Sequence, residues 1–232
     1  MNEKTKNYGK SIRSKLLNVS KQEGIFYQTV LTRYFQERVL YRLSQTRYRD
    51  HFFLKGGALM YAHERFAARP TLDIDFLGSG ISNDGGHIVS AIITPSPVQL
   101  DYPLLISTLP QASIMAYSEE TVIAEKMHAV IDLGNQSSRM KDYYDLFHLL
   151  HEGNYDPETL TDAVVNTFRN RHTGYKEDAA FFSPSFKDDL MLTTRWKAFM
   201  RRIKSDSTLT FSEVVIYLQD ALGSYWEALR HD

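Results

Sequence analysis

Two aspartates separated by one residue carry the strongest chemical signal in this sequence. Asp73 and Asp75 lie in a run from 71 to 77, where they alternate with the apolar residues Leu72, Ile74 and Phe76. The alternation predicts a β-strand with both carboxylates on one face, about 6–7 Å apart between alpha carbons. Carboxylates at this spacing suit hard cations that share substrate phosphates, so the pair predicts a Mg²⁺ site. A solvated outer strand face is the alternative.

A pair of glycines lies upstream of these aspartates. The run 52–54 is short and apolar, Gly56 and Gly57 end it, and a helix-forming run over 58–66 follows. This order predicts a strand, a tight turn and a helix. Backbone N–H groups at such a turn can approach a phosphate, and the helix dipole favours its charge. Because a second strand would return beside the first, the glycines and aspartates together predict a site for a metal-bound nucleotide.

The residues before this unit predict two helices. Residues 8–21 are amphipathic, Gly24 ends that pattern, and residues 25–48 have apolar residues at helical spacing. In the second helix we expect Arg33 on the surface with the other arginines. The buried face is expected to contain Phe26, Val30, Leu31, Phe35, Val39, Leu40 and Leu43.

The residues after the aspartates indicate a few strands and then only helices. Residues 88–94 and parts of 104–117 are compatible with strands, and Ser118 is a suitable N-cap. The later helices are predicted at 118–133, 140–151, 157–168, 185–204 and 211–229. We therefore predict an α+β fold with a small mixed sheet, an N-terminal helical segment and a C-terminal helical half. The predicted domains are 1–117 and 118–232.

Three titratable residues in the helical half are expected to point inward. Lys126 has apolar residues at its i±3 and i±4 positions, so its stem lies along an apolar stripe. Asp142 and Asp145 are i,i+3 neighbours on the face that continues into leucines. A buried ammonium or carboxylate needs a partner of opposite charge or an anionic or cationic ligand. For Lys126, extension of the amine to solvent is the alternative.

The motifs and their order resemble a known family. Leu-Lys-Gly-Gly at 54–57, Arg-Pro-Thr-Leu-Asp-Ile-Asp at 69–75, Thr-Pro at 94–95, Ser-Glu-Glu-Thr-Val-Ile-Ala-Glu-Lys-Met-His-Ala at 118–129 and Lys-Asp-Tyr-Tyr-Asp-Leu at 141–146 carry the likeness. Over about residues 25–150 the chain resembles the AbiEii-type nucleotidyltransferase toxins, a branch of the polymerase-β-like nucleotidyltransferase fold.

The resemblance implies an activity and a setting. The activity is Mg²⁺-dependent transfer of a nucleotide from a nucleoside triphosphate to an acceptor, in particular RNA such as the tRNA 3′ end. The setting is a toxin of a toxin–antitoxin, abortive-infection pair with a cognate antitoxin protein. By resemblance the catalytic residues are Asp73, Asp75, Lys126 and Asp142, with Asp73 and Asp75 as metal ligands. The residues implied to bind the nucleotide are Lys55, Gly56, Gly57, Arg69, Lys126 and Asp145.

The chain departs from the family pattern in two places. Only 18 residues separate Asp75 from Thr94, and the third carboxylate that relatives bring to the metals is not found there. Ala58 stands where many relatives have a Ser or Thr hydroxyl. Two alternatives therefore remain: a shortened nucleotide-binding member with impaired catalysis, and a metal-dependent phosphodiesterase or nuclease. Asp142 is the inward-facing acid that we name as a substitute ligand.

Composition limits the class of protein. The chain has 232 residues, 43% of them hydrophobic, a net charge of −1 and no cysteine. Disulfides and thiolate zinc sites are excluded, and the balanced charge disfavours general coating of nucleic acid. Residues 1–50 contain eleven Lys and Arg against four Asp and Glu, which suits either an RNA contact or a solvated helix face. With no signal-peptide core and no run long enough for a membrane span, we expect a cytoplasmic protein without membrane contact.

Overall fold

The computed structural model describes residues 7–80, 97–204 and 207–231. These residues form eight α-helices and one four-stranded sheet, which confirms the predicted α+β class. Two compact units are present: one contains the described residues up to 80 together with Val98–Ala116, and the other contains Pro97 and the described residues from Tyr117 onward. That these units are separate domains, as the predicted division into 1–117 and 118–232 supposes, stays a prediction.

The first unit begins with two helices, α1 (Tyr8–Gln22) and α2 (Tyr27–Ser44). Gly24 ends the first with a φ of +65°, a backbone conformation that favours glycine. Leu16 of α1 and Val30 of α2 pack with Ile106 in a small apolar core. The predicted helix over 25–48 is therefore present, but it is shorter at both ends.

The predicted buried face of α2 is wrong in three positions and incomplete in others. Phe26, Phe35 and Val39 are exposed, whereas Arg33, Gln36 and Glu37 are buried. The buried set has the spacing of one helix face, and it consists of Val30, Arg33, Gln36, Glu37, Leu40 and Ser44. Polar side chains can occupy this face because carbonyl and N–H groups of the first unit bind them.

The sheet has the strand order β2-β1-β4-β3. Its strands are β1 (Phe52–Lys55), β2 (Asp75–Gly78), β3 (Pro97–Asp101) and β4 (Ser113–Tyr117). β1 pairs with β2 in antiparallel fashion and with β4 in parallel, so the sheet is mixed as predicted. The helix α3 (Gly56–Glu64) follows β1 directly. The predicted strand, turn and helix unit is confirmed, and β2 returns beside β1.

The predicted strand over 71–77 is only partly correct. Strand β2 begins at Asp75, and Leu72, expected on a buried face, is 82% exposed. Residues 71–74 are not paired in the sheet, and the side chain of Gln36 on α2 binds the carbonyl groups of Thr71 and Asp73 instead. Strand β3 is not predicted by the sequence, because its first residue, Pro97, indicates the end of a strand. The predicted strand over 88–94 lies outside the described residues.

The second unit is helical, as predicted. Its helices are α4 (Glu119–Leu133), α5 (Met140–Glu152), α6 (Pro157–Asn170), α7 (Leu190–Ile203) and α8 (Phe211–Ala228). Ser118 caps α4, and Thr210 forms a reciprocal capping box with Glu213 at α8. The helix α7 starts later than predicted because the side chain of Asp189, not a residue near 185, caps it. Within the described residues no helix combines the length and hydropathy needed to cross a bilayer.

Candidate functional site

The turn after β1 is shaped around the carboxylate of Asp75. Lys55 pairs with Asp75 across β1 and β2, and Gly56 follows Lys55 with a φ of +66°. A Cβ atom at Gly56 would lie 2.9 Å from Cγ of Asp75 and even closer to one of its oxygens. Glycine is therefore required here for two reasons, the backbone conformation and the space that the carboxylate occupies.

The second glycine has a similar relation to Thr71. A Cβ atom at Gly57 would lie 2.7 Å from Cβ of Thr71, closer than side chains approach one another. The chain from Thr71 to Asp75 thus passes directly over the start of α3. Because each glycine accommodates one side chain of this segment, the Gly-Gly pair and residues 71–75 form one structural unit, and the predicted proximity to the glycines is confirmed for Asp75.

The segment that carries Asp73 is held from its other side by α2. Arg33 Nη2 donates to the carbonyl of Arg69 over 3.2 Å. Gln36 Nε2 donates to the carbonyls of Thr71 and Asp73, each over 3.3 Å. Carbonyl groups of alternate residues point the same way in an extended chain. Two buried side chains of a helix therefore replace the strand partner that residues 69–73 lack.

Arg33 is a buried cation within this unit. Its side chain is 2% exposed, and its guanidinium lies 4.4 Å from the ring centroid of Tyr61. Burial lowers the pKa of Arg33, because the charged form loses hydration. The carbonyl of Arg69, the amide oxygen of Gln36 and the aromatic face supply the negative ends of dipoles that compensate for that loss.

Glu37 is a buried anion on the same helix face. Its Oε2 accepts a hydrogen bond from the backbone N–H of Leu105 over 2.8 Å, and its Oε1 forms an ion pair with Arg38. Burial raises the pKa of Glu37, and the Leu105 N–H and Arg38 oppose that rise. The sequence analysis missed Arg33, Gln36 and Glu37. Their i, i+3, i+4 spacing with Leu40 was the available signal of a polar buried face.

The two predicted metal ligands are exposed. Asp73 lies in the irregular segment, and Asp75 is the first residue of β2. Among the described residues neither carboxylate has a hydrogen-bond or ion-pair partner, so their oxygens are available to a ligand. Lys55 and Arg69, the predicted nucleotide contacts of this unit, are half-buried. Their roles and those of the glycines at the nucleotide stay predictions.

The predicted site residues of the second unit form a buried ionic cluster. Lys126 of α4 donates to Asp142 Oδ1 over 3.1 Å and to Asp145 Oδ2 over 2.6 Å, both on α5. Arg139 Nε lies 2.7 Å from Asp142 Oδ2 as an ion pair, though that oxygen accepts no hydrogen bond within the described part of the chain. The Asp142 and Asp145 residues are 1% and 2% exposed. Their inward orientation is confirmed, while their roles at a nucleotide stay predictions.

The position of Lys126 follows from the packing of α4. Val122 and Val130, one turn before and after it, are buried, and Lys126 itself is 8% exposed. An ammonium at this depth is stable only with anionic partners, and the first turns of α5 supply two of them. The alternative in which Lys126 extends its amine to solvent is therefore wrong.

A comparison with known protein families matches stretches that contain both the exposed aspartates and the buried ionic cluster. The family described as "Nucleotidyl transferase AbiEii toxin, Type IV TA system" matches residues 38–94 and 88–222. The chain belongs to this family. This AbiEii-family assignment confirms the resemblance seen in the sequence. The first matched stretch contains the exposed aspartates, and the second contains the buried ionic cluster.

The two matched stretches of the AbiEii family overlap at residues 88–94. The same place is where the sequence has fewer residues than expected, and residues 81–96 lie outside the described part of the structure. None of the curated proteins compared matches the chain. Within the described residues no group of three or more His, Cys, Asp or Glu side chains is arranged to hold a metal ion.

Proposed function

We propose that this AbiEii-family chain transfers a nucleotide from a nucleoside triphosphate to an RNA acceptor in a Mg²⁺-dependent reaction. A tRNA 3′ end is the acceptor that we favour. The transfer inhibits growth until a cognate antitoxin opposes it, in keeping with a family of type IV toxin–antitoxin systems. The close approach of the Asp75 carboxylate to Gly56 is the observation that supports the proposal most directly.

The donor groups present suit Mg²⁺ rather than a softer metal. Asp73 and Asp75 provide exposed carboxylate oxygens, and no cysteine exists in the chain. Mg²⁺ is usually held by one or two carboxylates together with substrate phosphates and water. Two carboxylates are therefore a sufficient protein contribution for one ion, while a second ion needs ligands beyond them. When bound, Mg²⁺ neutralises phosphate charge and lowers the pKa of the attacking hydroxyl.

The chain's own groups have separate tasks in this proposal. Asp73 and Asp75 hold the cation, and backbone N–H groups of the turn at Gly56 and Gly57 bind the triphosphate. The dipole of α3 favours negative charge at the same turn. Most of the rate acceleration then comes from holding the nucleotide and the acceptor hydroxyl in line, as is usual for this type of transfer.

An assay with labelled nucleotides tests the proposal. The protein is incubated with each labelled nucleoside triphosphate, Mg²⁺ and total RNA, and label on RNA is the expected result. Asp75→Asn should abolish labelling, and Asp101→Asn, a change of another exposed strand aspartate, should leave it intact. Shortened RNA would instead indicate a phosphodiesterase or nuclease. Labelling that persists in Asp75→Asn would contradict the assignment of the metal site.

The impaired nucleotide-binding member is the second candidate. It is favoured by the lack of a third carboxylate near Asp73 and Asp75 among the described residues. On this reading the chain binds a nucleotide with Mg²⁺ and transfers it slowly or not at all, because a second ion is poorly held. Calorimetric binding of a non-hydrolysable triphosphate, with no label on RNA, is its expected outcome. Rapid transfer by the same chain would rule it out.

The resemblance also implies that Lys126 binds the nucleotide, and we propose that its amine contacts a phosphate. Loss of a charge-assisted hydrogen bond to phosphate costs about 1.5–3 kcal/mol. Lys126→Ala should therefore raise the dissociation constant of the triphosphate about tenfold or more, at roughly 1.4 kcal/mol per factor of ten. The measurement is made well below the melting temperature of the variant. An unchanged constant would leave Lys126 with a structural role in its ionic cluster alone.

A further inference from the structure

The side-chain amide of Gln36 has a fixed orientation. Its Oε1 accepts a hydrogen bond from Arg33 Nη1 over 3.2 Å, and its Nε2 faces the carbonyls of Thr71 and Asp73. The reversed amide would set its oxygen against two carbonyl oxygens and its NH₂ group against a guanidinium. Both of these arrangements are repulsive, so Arg33 determines which way the amide of Gln36 points.

Gln36 binds the backbone of Thr71 and Asp73, which have no strand partner in the sheet. Strand β2 begins only at Asp75, so residues 71–73 lack a backbone partner in the sheet. Both N–H bonds of one amide are used by carbonyls two residues apart. Gln36 is 4% exposed, and this burial limits the movement of its side chain. Position 73 is therefore fixed from the helix, and position 75 from the sheet.

The spacing between the two carboxylates depends on this arrangement. Pairing with Lys55 in β1 sets the backbone of Asp75. The backbone of Asp73 is set by Gln36, which binds the carbonyl of that same residue. Two ligands of one cation must be held within a fraction of an ångström of their working geometry, which requires a rigid surrounding shell.

We propose that Gln36, oriented by Arg33, is a positioning residue that sets Asp73 against Asp75 for cation binding. This inference rests on the proposed function, because it supposes that the two aspartates bind a cation. Gln36 does not touch the cation or the nucleotide. It acts through the backbone of Asp73, and Arg33 acts through Gln36.

The substitution Gln36→Met tests this role. Methionine has nearly the same length and volume, carries no donor and adds no charge, so the long-range electrostatics at the aspartates are unchanged. Gln28→Met is the matched control, because Gln28 lies on the same helix and is exposed. The probe is Mn²⁺, titrated by electron paramagnetic resonance, and the melting temperature of each variant is recorded in parallel.

The expected result separates positioning from stability. Gln36→Met should raise the Mn²⁺ dissociation constant at least tenfold at a temperature where the variant is folded, while Gln28→Met changes it less than twofold. A purely structural Gln36 would lower the melting temperature and leave the Mn²⁺ affinity unchanged, and that outcome overturns the inference. Should Gln36→Met fail to fold, Gln36→Asn carries the measurement, since it keeps the amide but withdraws it from the carbonyls.

A third variant distinguishes failure of the inference from failure of the proposed function. Asp73→Asn should abolish Mn²⁺ binding if the aspartates form the site. Binding that depends on Asp73 but is unchanged in Gln36→Met overturns the positioning role alone. A wild-type protein that binds no Mn²⁺, or binds it equally well with Asp73→Asn, overturns the proposed metal site and the inference with it.

Discussion

Two pairs of aspartates in this chain have the same chemistry and opposite surroundings. Asp73 and Asp75 in the first unit are exposed and have no side-chain partner among the described residues. In the second unit Asp142 and Asp145 are 1% and 2% exposed, and Lys126 bonds to both. The exposed pair can accept a ligand without first losing an internal bond. The buried pair is already bonded to Lys126, so a ligand would have to displace an internal ion pair.

The difference arises from the backbone that carries each pair. An i,i+2 spacing at the start of the edge strand β2 leaves both carboxylates open to solvent, and Leu72, which precedes Asp73, is itself 82% exposed. An i,i+3 spacing at the start of α5 sets both acids on the face that packs against α4. The secondary-structure element that carries a carboxylate therefore decides whether it is a candidate ligand or a structural group. The residue type alone does not decide this.

The largest effect on stability is expected for removal of the cation in the buried cluster. Lys126→Met leaves two buried carboxylates without their ammonium partner, and such a change usually costs about 3–5 kcal/mol. The free energy of unfolding from urea denaturation measures the effect. Lys141→Met is the control, because Lys141 is exposed on α5. A loss below about 1 kcal/mol would contradict a structural role for this cluster.

A combined variant separates the effect of the unpaired buried charges from the loss of packing in Lys126→Met. Lys126→Met together with Asp142→Asn and Asp145→Asn removes the uncompensated charge and keeps the side-chain volumes. Replacement of a whole buried ionic group by neutral residues is often neutral or stabilising. We therefore expect the combined variant to recover most of the lost stability. If it is no more stable than Lys126→Met, charge is not the cause.

A smaller effect is expected at the turn that accommodates Asp75. Gly56→Ala introduces a side chain at a φ of +66° and against the carboxylate, which together should cost about 1–3 kcal/mol. Gly24→Ala is the matched control, because Gly24 has a φ of +65° and nothing within 4 Å of the added Cβ. The difference between the two losses in urea denaturation measures the crowding at Asp75 alone.

A double-mutant cycle checks that the crowding comes from the carboxylate. Gly56→Ala in a protein that also carries Asp75→Ala should cost about as much as Gly24→Ala, because the overlapping group is gone. Equal costs of Gly56→Ala with and without Asp75 would show that the carboxylate moves away freely. In that case the turn does not fix the position of Asp75.

The elements of the fold were largely predictable because their signals are local. The helices α4, α6 and α8 have regular apolar spacing and side-chain N-caps, α5 ends at Gly153, and the glycines mark the turn after β1. The inward orientation of Lys126 also followed from spacing, since a residue between buried positions of a helix is itself buried. Its two partners lie on another helix, and only the structure pairs them.

The polar face of α2 could not be predicted in the same way. The spacing of Arg33, Gln36 and Glu37 marks them as one face, but aromatic and aliphatic residues occur on two faces of this helix, so spacing alone does not decide which face is buried. The choice depends on carbonyl groups at 69–73 and an N–H group at 105, which are far away in the sequence. For the same reason the strand over 71–77 was predicted four residues too long at its start.

Glu37 is a buried acid of the first unit, and its burial predicts how the stability of the protein depends on pH. Burial raises its pKa above the ordinary value of 4.5, so the folded protein binds the proton more tightly than the unfolded chain. Stability must then fall as pH rises from 4.5 through the raised pKa, and level off above it. Compared with Glu37→Gln, the wild-type protein should lose stability over this interval in urea denaturation. A difference that is constant with pH would contradict the raised pKa.

The smallest effect on stability is expected for the exposed pair itself. Asp73→Asn and Asp75→Asn should each change the free energy of unfolding by no more than about 0.5 kcal/mol, because neither carboxylate bonds to another described group. The backbone contact from Gln36 to Asp73 is unaffected by the change. The same variants should lose nucleotide transfer, which separates function from stability at these two positions. A destabilisation above about 1 kcal/mol would show that the carboxylates have a structural partner, and the contrast with Asp142 and Asp145 would then no longer hold.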